Sequence, residues 1–544
     1  MSNRTDLLVG ASVGVAAGSV LSKVLGFVRE IVIAARFGAG ADVDAYVVAS
    51  TVPSVLFGAV GAALGTVIVP TFTRKRVSTG SAEAFHTAAA IWNAVGVGAL
   101  VAVAAGELLM PWIIRLLAPG FAASSWEQAT FLGRIIMPMA LFSTLGLLLK
   151  GLLNSLQVFA LPALADPLQN VIVILSVLLL GHKIGISGLA IGTVLGATAP
   201  VWLLMPSLMH RGFRPALNTR VNTPELRETL LLALPMIASS GIGTIGVFVE
   251  RGLASGLQEG SLAAINYANR LYALPAVLLG VTLSTVLFPT LAEFAASRQF
   301  DRMVAALKRG LAAGSLVLFP VAAGMLVLAE PLTRLTYERG AFGAEATALT
   351  TGILCMYVTG MPAFAWRDVT ARAFYATGNT TTPLVGSVMV VGVNVVLNLV
   401  LVRILGARGL ALSAAISTWA GALGLFWLWG RNRDRGRVAL VDRRFLVEIG
   451  KVIFATAVMS GVVWLFWRLV ATPALAAGTV GSSRTSLRAT FAVLIWFVGA
   501  VAAGAISYAA LAYALRISEL KLLSDAVRRG LSRMIARLAP ERRA

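Results

Sequence analysis

The chain has 544 residues, of which 58% are hydrophobic and only 13% charged, with a net charge of +21. Soluble domains carry about 25% charged residues, so this deficit excludes a soluble globular protein and indicates a polytopic membrane protein. One cysteine, Cys355, excludes internal disulfides, and three histidines argue against a His/Cys metal centre. The basic charge does not read as nucleic-acid binding, because the arginines fall mostly in short loops between apolar runs.

A membrane-crossing helix needs about 20 apolar residues. On that measure there are about fourteen spans, near 7–35, 44–73, 84–106, 127–152, 160–181, 186–208, 229–256, 261–292, 311–330, 346–377, 383–405, 409–429, 449–470 and 487–515. The first run is too long and too interrupted for a signal peptide. The basic loops at Arg74–Arg76, Arg211–Arg227, Arg298–Arg309 and Arg431–Arg444 fall on one side, as does the tail after Arg516. The positive-inside rule puts both termini in the cytoplasm.

The first span, with its flank, is the most informative stretch. It holds Lys23, Arg29 and Glu30, followed by Arg36, Asp42 and Asp44. An ionisable group in hydrocarbon costs several kcal/mol unless it faces a polar cavity or a partner. A cavity is the preferred reading; the alternative is that Lys23 snorkels and Arg29 pairs locally with a carboxylate. Lys23 and Glu30 share a helix face, while Arg29 points roughly 120° away from Lys23.

Further along, Glu250-Arg251 lies deep in span seven. Asn266-Tyr267-Ala-Asn269-Arg270 opens span eight, and Trp366-Arg367-Asp368 with Arg372 lies at depth in span ten. Asn394 and Asn398 share a face in span eleven. A carboxylate with amide oxygens can hold a hard cation such as Na⁺; hydrogen bonding between the asparagines is the competing reading. If spans one and eight both line the crevice between the halves, Lys23, Arg29 and Arg270 make a cationic centre that suits a phosphate or diphosphate. The G-x-G-x-x-G at Gly241, Gly243 and Gly246 has no preceding strand and is set aside. No P-loop pattern occurs, so the expectation is a transporter, not an enzyme, with no nucleotide-hydrolysing domain and driven by gradients. The segment Ser518 to Leu538 reads as a basic amphipathic helix lying on anionic lipid or on a partner.

The chain repeats itself. Gly61 to Phe72 matches Gly280 to Leu291, and Pro162 with Gly188-Leu-Ala-Ile-Gly192 matches Pro383 with Gly409-Leu-Ala-Leu-Ser413. The shared offset makes spans one to six and seven to twelve parallel copies of one unit. The expected fold is an all-α polytopic membrane protein: two pseudo-symmetric six-helix lobes around a central cavity, plus two C-terminal helices. The expected domains are 1–215, 216–432, the extra helices 433–515 and the cytoplasmic tail 516–544.

Ser22-Lys-Val-Leu-Gly-Phe-Val-Arg-Glu30, Phe37-Gly-Ala-Gly40 and Asp44-Ala-Tyr46 resemble the opening of the MviN/MurJ lipid II flippases of the MOP exporter superfamily. Pro53 to Pro70, Asn266 to Arg270 and Arg372 to Pro383 continue the likeness over essentially the whole chain. The resemblance implies a flippase that moves a polyprenyl-diphosphate-linked peptidoglycan precursor, lipid II, to the outer leaflet by alternating access. It implies Lys23, Arg29, Glu30, Asp44 and Arg270 as substrate-binding residues. It also implies Glu250, Asn394 and Asn398 at a coupling Na⁺, and a groove for the lipid tail at the C-terminal helices. Implied partners are the glycolipid, membrane lipids and cell-wall synthesis proteins. Where many members carry Arg-Arg and Ala-Glu-Gly in span two, this chain has Leu56-Phe57-Gly58-Ala59-Val60-Gly61. Another polyprenyl-linked glycan, or drugs moved by a MATE-like cation-coupled exporter, are the alternative cargoes. A non-transporting scaffold is the reading from a different class.

Overall fold

Long apolar runs with no water to satisfy their backbone must close their hydrogen bonds internally, and this chain does so with helices. A computed structural model describes residues 2–215, 224–431, 440–474, 487–517 and Leu520, with no strand among them. The helices are α1 (Ser2–Phe37), α2 (Ala41–Thr51), α3 (Phe57–Thr79), α4 (Ser81–Leu117), α5 (Ala123–Ile136), α6 (Met139–Ser155), α7 (Ala160–Leu179), α8 (Gly181–Ile184), α9 (Ile186–Met209) and α10 (Pro224–Ala254). They continue as α11 (Ser261–Ala296), α12 (Phe300–Val327), α13 (Ala329–Tyr337), α14 (Ala344–Val358), α15 (Met361–Ala376), α16 (Thr381–Leu405), α17 (Ala407–Arg431), α18 (Arg443–Phe466) and α19 (Leu487–Ala514).

Among the described residues, 11 helical stretches are long and apolar enough to cross a membrane. The remaining expected spans fall on α1, α10 and α11, of 36, 31 and 36 residues, which carry Lys23, Arg29, Glu30, Glu250, Arg251 and Arg270. This is an all-helical, multi-pass membrane protein. Several helices outrun the expected spans; α4 has 37 residues, roughly 55 Å at 1.5 Å per residue, so its ends reach beyond the hydrocarbon. Proline shapes others. Pro53 sits in a π-helical stretch, Val52–Leu56, that joins α2 to α3. Pro138 and Pro362 stand where α5 meets α6 and where α14 meets α15. Gly241, Gly243 and Gly246 lie inside α10, which removes the dinucleotide pattern's strand–turn–helix context.

Two compact units emerge. The first comprises Met1–Tyr267 with Arg339–Ala346, and the second Ala268–Glu338 with Thr347–Ala544. In the first, Phe72, Phe85, Leu148 and Phe213 are buried where α3, α4, α6 and α9 meet, and the Phe72 and Phe85 rings lie 5.2 Å apart. In the second, Trp366 is ringed by Phe319, Trp419, Phe426 and Phe445, and its Nε1 donates to Ser315 Oγ at 2.8 Å.

The repeat noted in the sequence recurs as local geometry. Pro162 and Pro383 are each the third residue of a helix, and Gly188 and Gly409 each the third of the next long helix. Gly185 and Gly406, which precede those helices, have φ of 60° and 58°, a left-handed conformation in which glycine avoids the Cβ penalty. The basic tail, except Leu520, lies outside the described residues.

Candidate functional site

The first unit brings α1 against α7. Pro167 has no N–H, so the Ala163 carbonyl, four residues back, loses its helical donor. Gly18 packs here: a Cβ on it would stand 2.8 Å from that oxygen. Two turns on, Asn170 faces α1. Its Nδ2 donates to Ser22 O at 3.2 Å, and its Oδ1 accepts from Arg29 Nη1 at 3.0 Å. Arg29 Nη2 meets Glu30 Oε1 at 2.7 Å, while Arg29 Nε is buried with no hydrogen-bond partner. Glu30 is 4% exposed. Arg29 is therefore paired locally, as the second sequence reading allowed, yet keeps an unused donor. Lys23, half-buried on the same helix, makes no hydrogen bond or ion pair among the described residues.

Asn170 was not singled out in the sequence, and neither was the Lys150–Asp166 pair between α6 and α7, at 2.5 Å. The rule applied to span one, that polar groups at depth need a reason, would have marked Asn170, midway along span five, whereas Lys150 and Asp166 lie near the ends of their spans.

Asp44 is buried, and both its oxygens are engaged. They accept from the backbone N–H groups of Gly260 and Ala263, each at 2.7 Å. The carboxylate caps the N-terminus of α11 from another part of the chain, where a helix dipole favours negative charge. Around it Tyr267 donates to Gly38 O at 3.0 Å, Ala341 N to Ala35 O at 2.8 Å, and Gly120 N to Ser255 Oγ at 3.0 Å. The segments after α1, α4, α10 and α13 are thereby stitched together. Backbones touch: a Cβ on Gly260 would lie 2.4 Å from Ala39 O. Glu250 and Arg251 sit half-buried near the end of α10, and Arg251 Nε and Nη1 have no partner.

In the second unit, Arg270 is exposed on α11, beside exposed Asn269. Arg372 is bound by Asp368 at 3.3 Å, and Arg367 lies 5.9 Å from the Phe364 ring centroid. On α16, Asn398 is 1% exposed and donates to Asn394 Oδ1 at 3.1 Å; its own Oδ1 is buried without a partner. Such an orphaned oxygen fits a hard cation or a water. No group of three His, Cys, Asp or Glu that could hold a metal occurs among the described residues. An apolar cavity of about 490 Å³ opens between α12, α13, α18 and α19, lined by Leu316, Pro320, Leu332, Met459, Phe497 and Tyr508 among others.

The family profile described as "Lipid II flippase MurJ" matches residues 33–485. The chain belongs to the MurJ family. It is 30% identical over 533 residues to the probable lipid II flippase MurJ of Rhizobium meliloti, covering 94% of each. It is 28% identical over 459 residues to the lipid II flippase MurJ of Burkholderia cenocepacia, covering 81% of this chain and 87% of that one. A solved MurJ structure in an inward closed conformation shares the fold with TM-score 0.74 at 23% identity, over 92% of this chain and 97% of that one. A MATE transporter of the MOP superfamily, inward-facing, aligns with TM-score 0.64 at 17% identity, over 76% and 94% of the two chains. MurJ membership thus rests on sequence, and the two structures attest the shared architecture.

Proposed function

We infer that the chain is a lipid II flippase, a transporter that carries the polyprenyl-diphosphate-linked peptidoglycan precursor from the inner to the outer leaflet by alternating access. The observation that carries the reading is Arg29. It is a guanidinium on a membrane-spanning helix of a MurJ-family chain, positioned by Asn170 and Glu30 with its buried Nε–H unused. A diphosphate offers more charge and more acceptor oxygens than the single carboxylate of Glu30, so it can draw the guanidinium into two parallel hydrogen bonds. Lys23 and Arg270 complete the cationic set in this proposal. Asp44 acts by holding α11, the helix that carries Arg270.

The apolar cavity beside α18 and α19 suits a segment of the polyprenyl tail, which gains by leaving the headgroup path. Glu250, Asn394 and Asn398 supply oxygens suited to a coupling Na⁺. Both termini face the cytoplasm in this reading, as the basic loops require. The two repeated halves take turns opening toward each leaflet.

Complementation of a strain depleted of its own flippase tests the assignment. Wild type should restore growth, while Arg29→Gln and Arg270→Gln should not. No rescue by a normally inserted wild-type chain would remove lipid II as cargo. Export of cationic dyes that survives both substitutions would point to a drug exporter.

A further inference from the structure

Arg115 lies near the end of α4 remote from the basic Arg74–Arg76 stretch. Its guanidinium carbon is 5.9 Å from the centroid of the Trp112 ring and 5.8 Å from that of Trp126. Trp112 precedes it by one turn of the same helix, whereas Trp126 reaches it from α5. The second ring is fixed in place, because Trp126 Nε1 donates to Ala118 O at 2.8 Å. The connecting loop is fixed as well, through Ala118 N to Ile114 O at 2.8 Å and Gly120 N to Ser255 Oγ at 3.0 Å. Arg431 and Arg468 also sit over tryptophans, but each over one ring of its own helix, Trp427 at 5.2 Å and Trp464 at 5.5 Å.

Arg115 forms no ion pair with any carboxylate among the described residues, neighbouring Glu127 included. The surface leading to it is apolar. Leu108, Leu109, Trp112 and Leu116 are 79%, 53%, 69% and 82% exposed, and at 100° per residue they share one face of α4 with Arg115. On a membrane-crossing helix that face meets acyl chains. A cation closing such a face, between indole rings that favour the interface, meets the phosphate layer. A guanidinium over a ring face is held through its charge, and its N–H donors match phosphate oxygens.

We propose that Trp112, Arg115 and Trp126 form a binding site for the phosphate of an anionic phospholipid in the leaflet at the C-terminal end of α4. The unpaired positive charge selects an anionic headgroup over a zwitterionic one, whose own cation would compete for the ring faces. Held there, the lipid would anchor the α4–α5 corner at a set depth.

The test is native mass spectrometry of the full chain in detergent, titrated with phosphatidylglycerol or phosphatidylcholine. Wild type should retain phosphatidylglycerol preferentially. Arg115→Gln should weaken that retention roughly tenfold, as expected for one lost charged hydrogen bond, with phosphatidylcholine unchanged. Arg115→Lys should fall between them, since it keeps the charge but loses the planar fork. Trp126→Phe, which removes the bond to Ala118 and leaves the cation, should weaken retention several-fold and keeps the test open should Arg115→Gln insert poorly. Equal retention of the two lipids by wild type, or unchanged phosphatidylglycerol retention in Arg115→Gln, would overturn the proposal. A titration with undecaprenyl diphosphate separates this site from the cargo path. Its retention should be indifferent to Arg115→Gln, and a parallel loss would reassign Arg115 to cargo.

Discussion

Replacing Asp44 by asparagine should loosen the start of α11. The native carboxylate accepts two backbone N–H groups, from Gly260 and Ala263, each at 2.7 Å, at a site that is 5% exposed. Asparagine has the same shape but one acceptor oxygen, so its amide nitrogen must face the other N–H. One buried donor then goes unpaired, at a cost of about 1–3 kcal/mol. Removing a negative charge from a helix N-terminus adds about 0.3–2 kcal/mol. Together these give about 1.3–5 kcal/mol, which corresponds to roughly 10- to 5,000-fold easier local opening. Hydrogen exchange read at Gly260 and Ala263 measures this directly, since their amides report opening of the capped turn. Faster exchange there, with the buried α3–α6 seam unchanged, is the expected pattern. Flipping should slow in parallel if a fixed α11 is what keeps Arg270 in place. Unchanged protection of both amides would refute the capping argument, even if transport were lost.

Tyr508→Phe should destabilise the C-terminal pair of helices. Pro320 cannot donate to the Leu316 carbonyl, and the Tyr508 hydroxyl supplies the missing donor at 2.8 Å; its loss costs about 1–2 kcal/mol, seen as a lower thermal midpoint. Asn170→Ala should free Arg29 from α7 and reduce flipping while protein level and helicity hold; normal flipping would show that Glu30 alone positions the arginine. Asp442 accepts from Lys308 Nζ at 2.6 Å and from Phe445 N at 2.8 Å, and these two bonds hold its carboxyl below the usual value. A carboxyl lowered in the folded state contributes stability above its unfolded pKa and loses it as pH falls through the folded one. Thermal stability should therefore drop below about pH 4, and Asp442→Asn should flatten that part of the profile.

Much of the architecture was legible because a bilayer imposes a simple rule on the sequence. The spans announce themselves as apolar runs, and the duplicated Pro162/Gly188 and Pro383/Gly409 patterns mark equivalent helix starts. The exact helix ends were not legible, since α4 and α12 continue past the hydrocarbon on residues that no lipid constrains. The partners of the charged residues were hidden for a different reason. Arg29 finds Asn170, 141 residues away, and Asp44 finds the start of α11, 216 residues away. Nothing in local spacing encodes such pairings, because they depend on which helices pack. Asp44 illustrates the consequence: the family resemblance names it among the substrate-binding residues, and nothing in its sequence neighbourhood shows that its oxygens accept from the backbone N–H groups of Gly260 and Ala263.

Binding of lipid II to the purified chain is the most direct measurement of whether Arg29 and Arg270 grip a diphosphate. Each substitution to glutamine should weaken retention of lipid II, and of undecaprenyl diphosphate without its glycan, by roughly 10- to 150-fold, the equivalent of about 1.5–3 kcal/mol for a charged hydrogen-bonded contact. Retention of both lipids at wild-type affinity by well-folded Arg29→Gln and Arg270→Gln proteins would contradict the account.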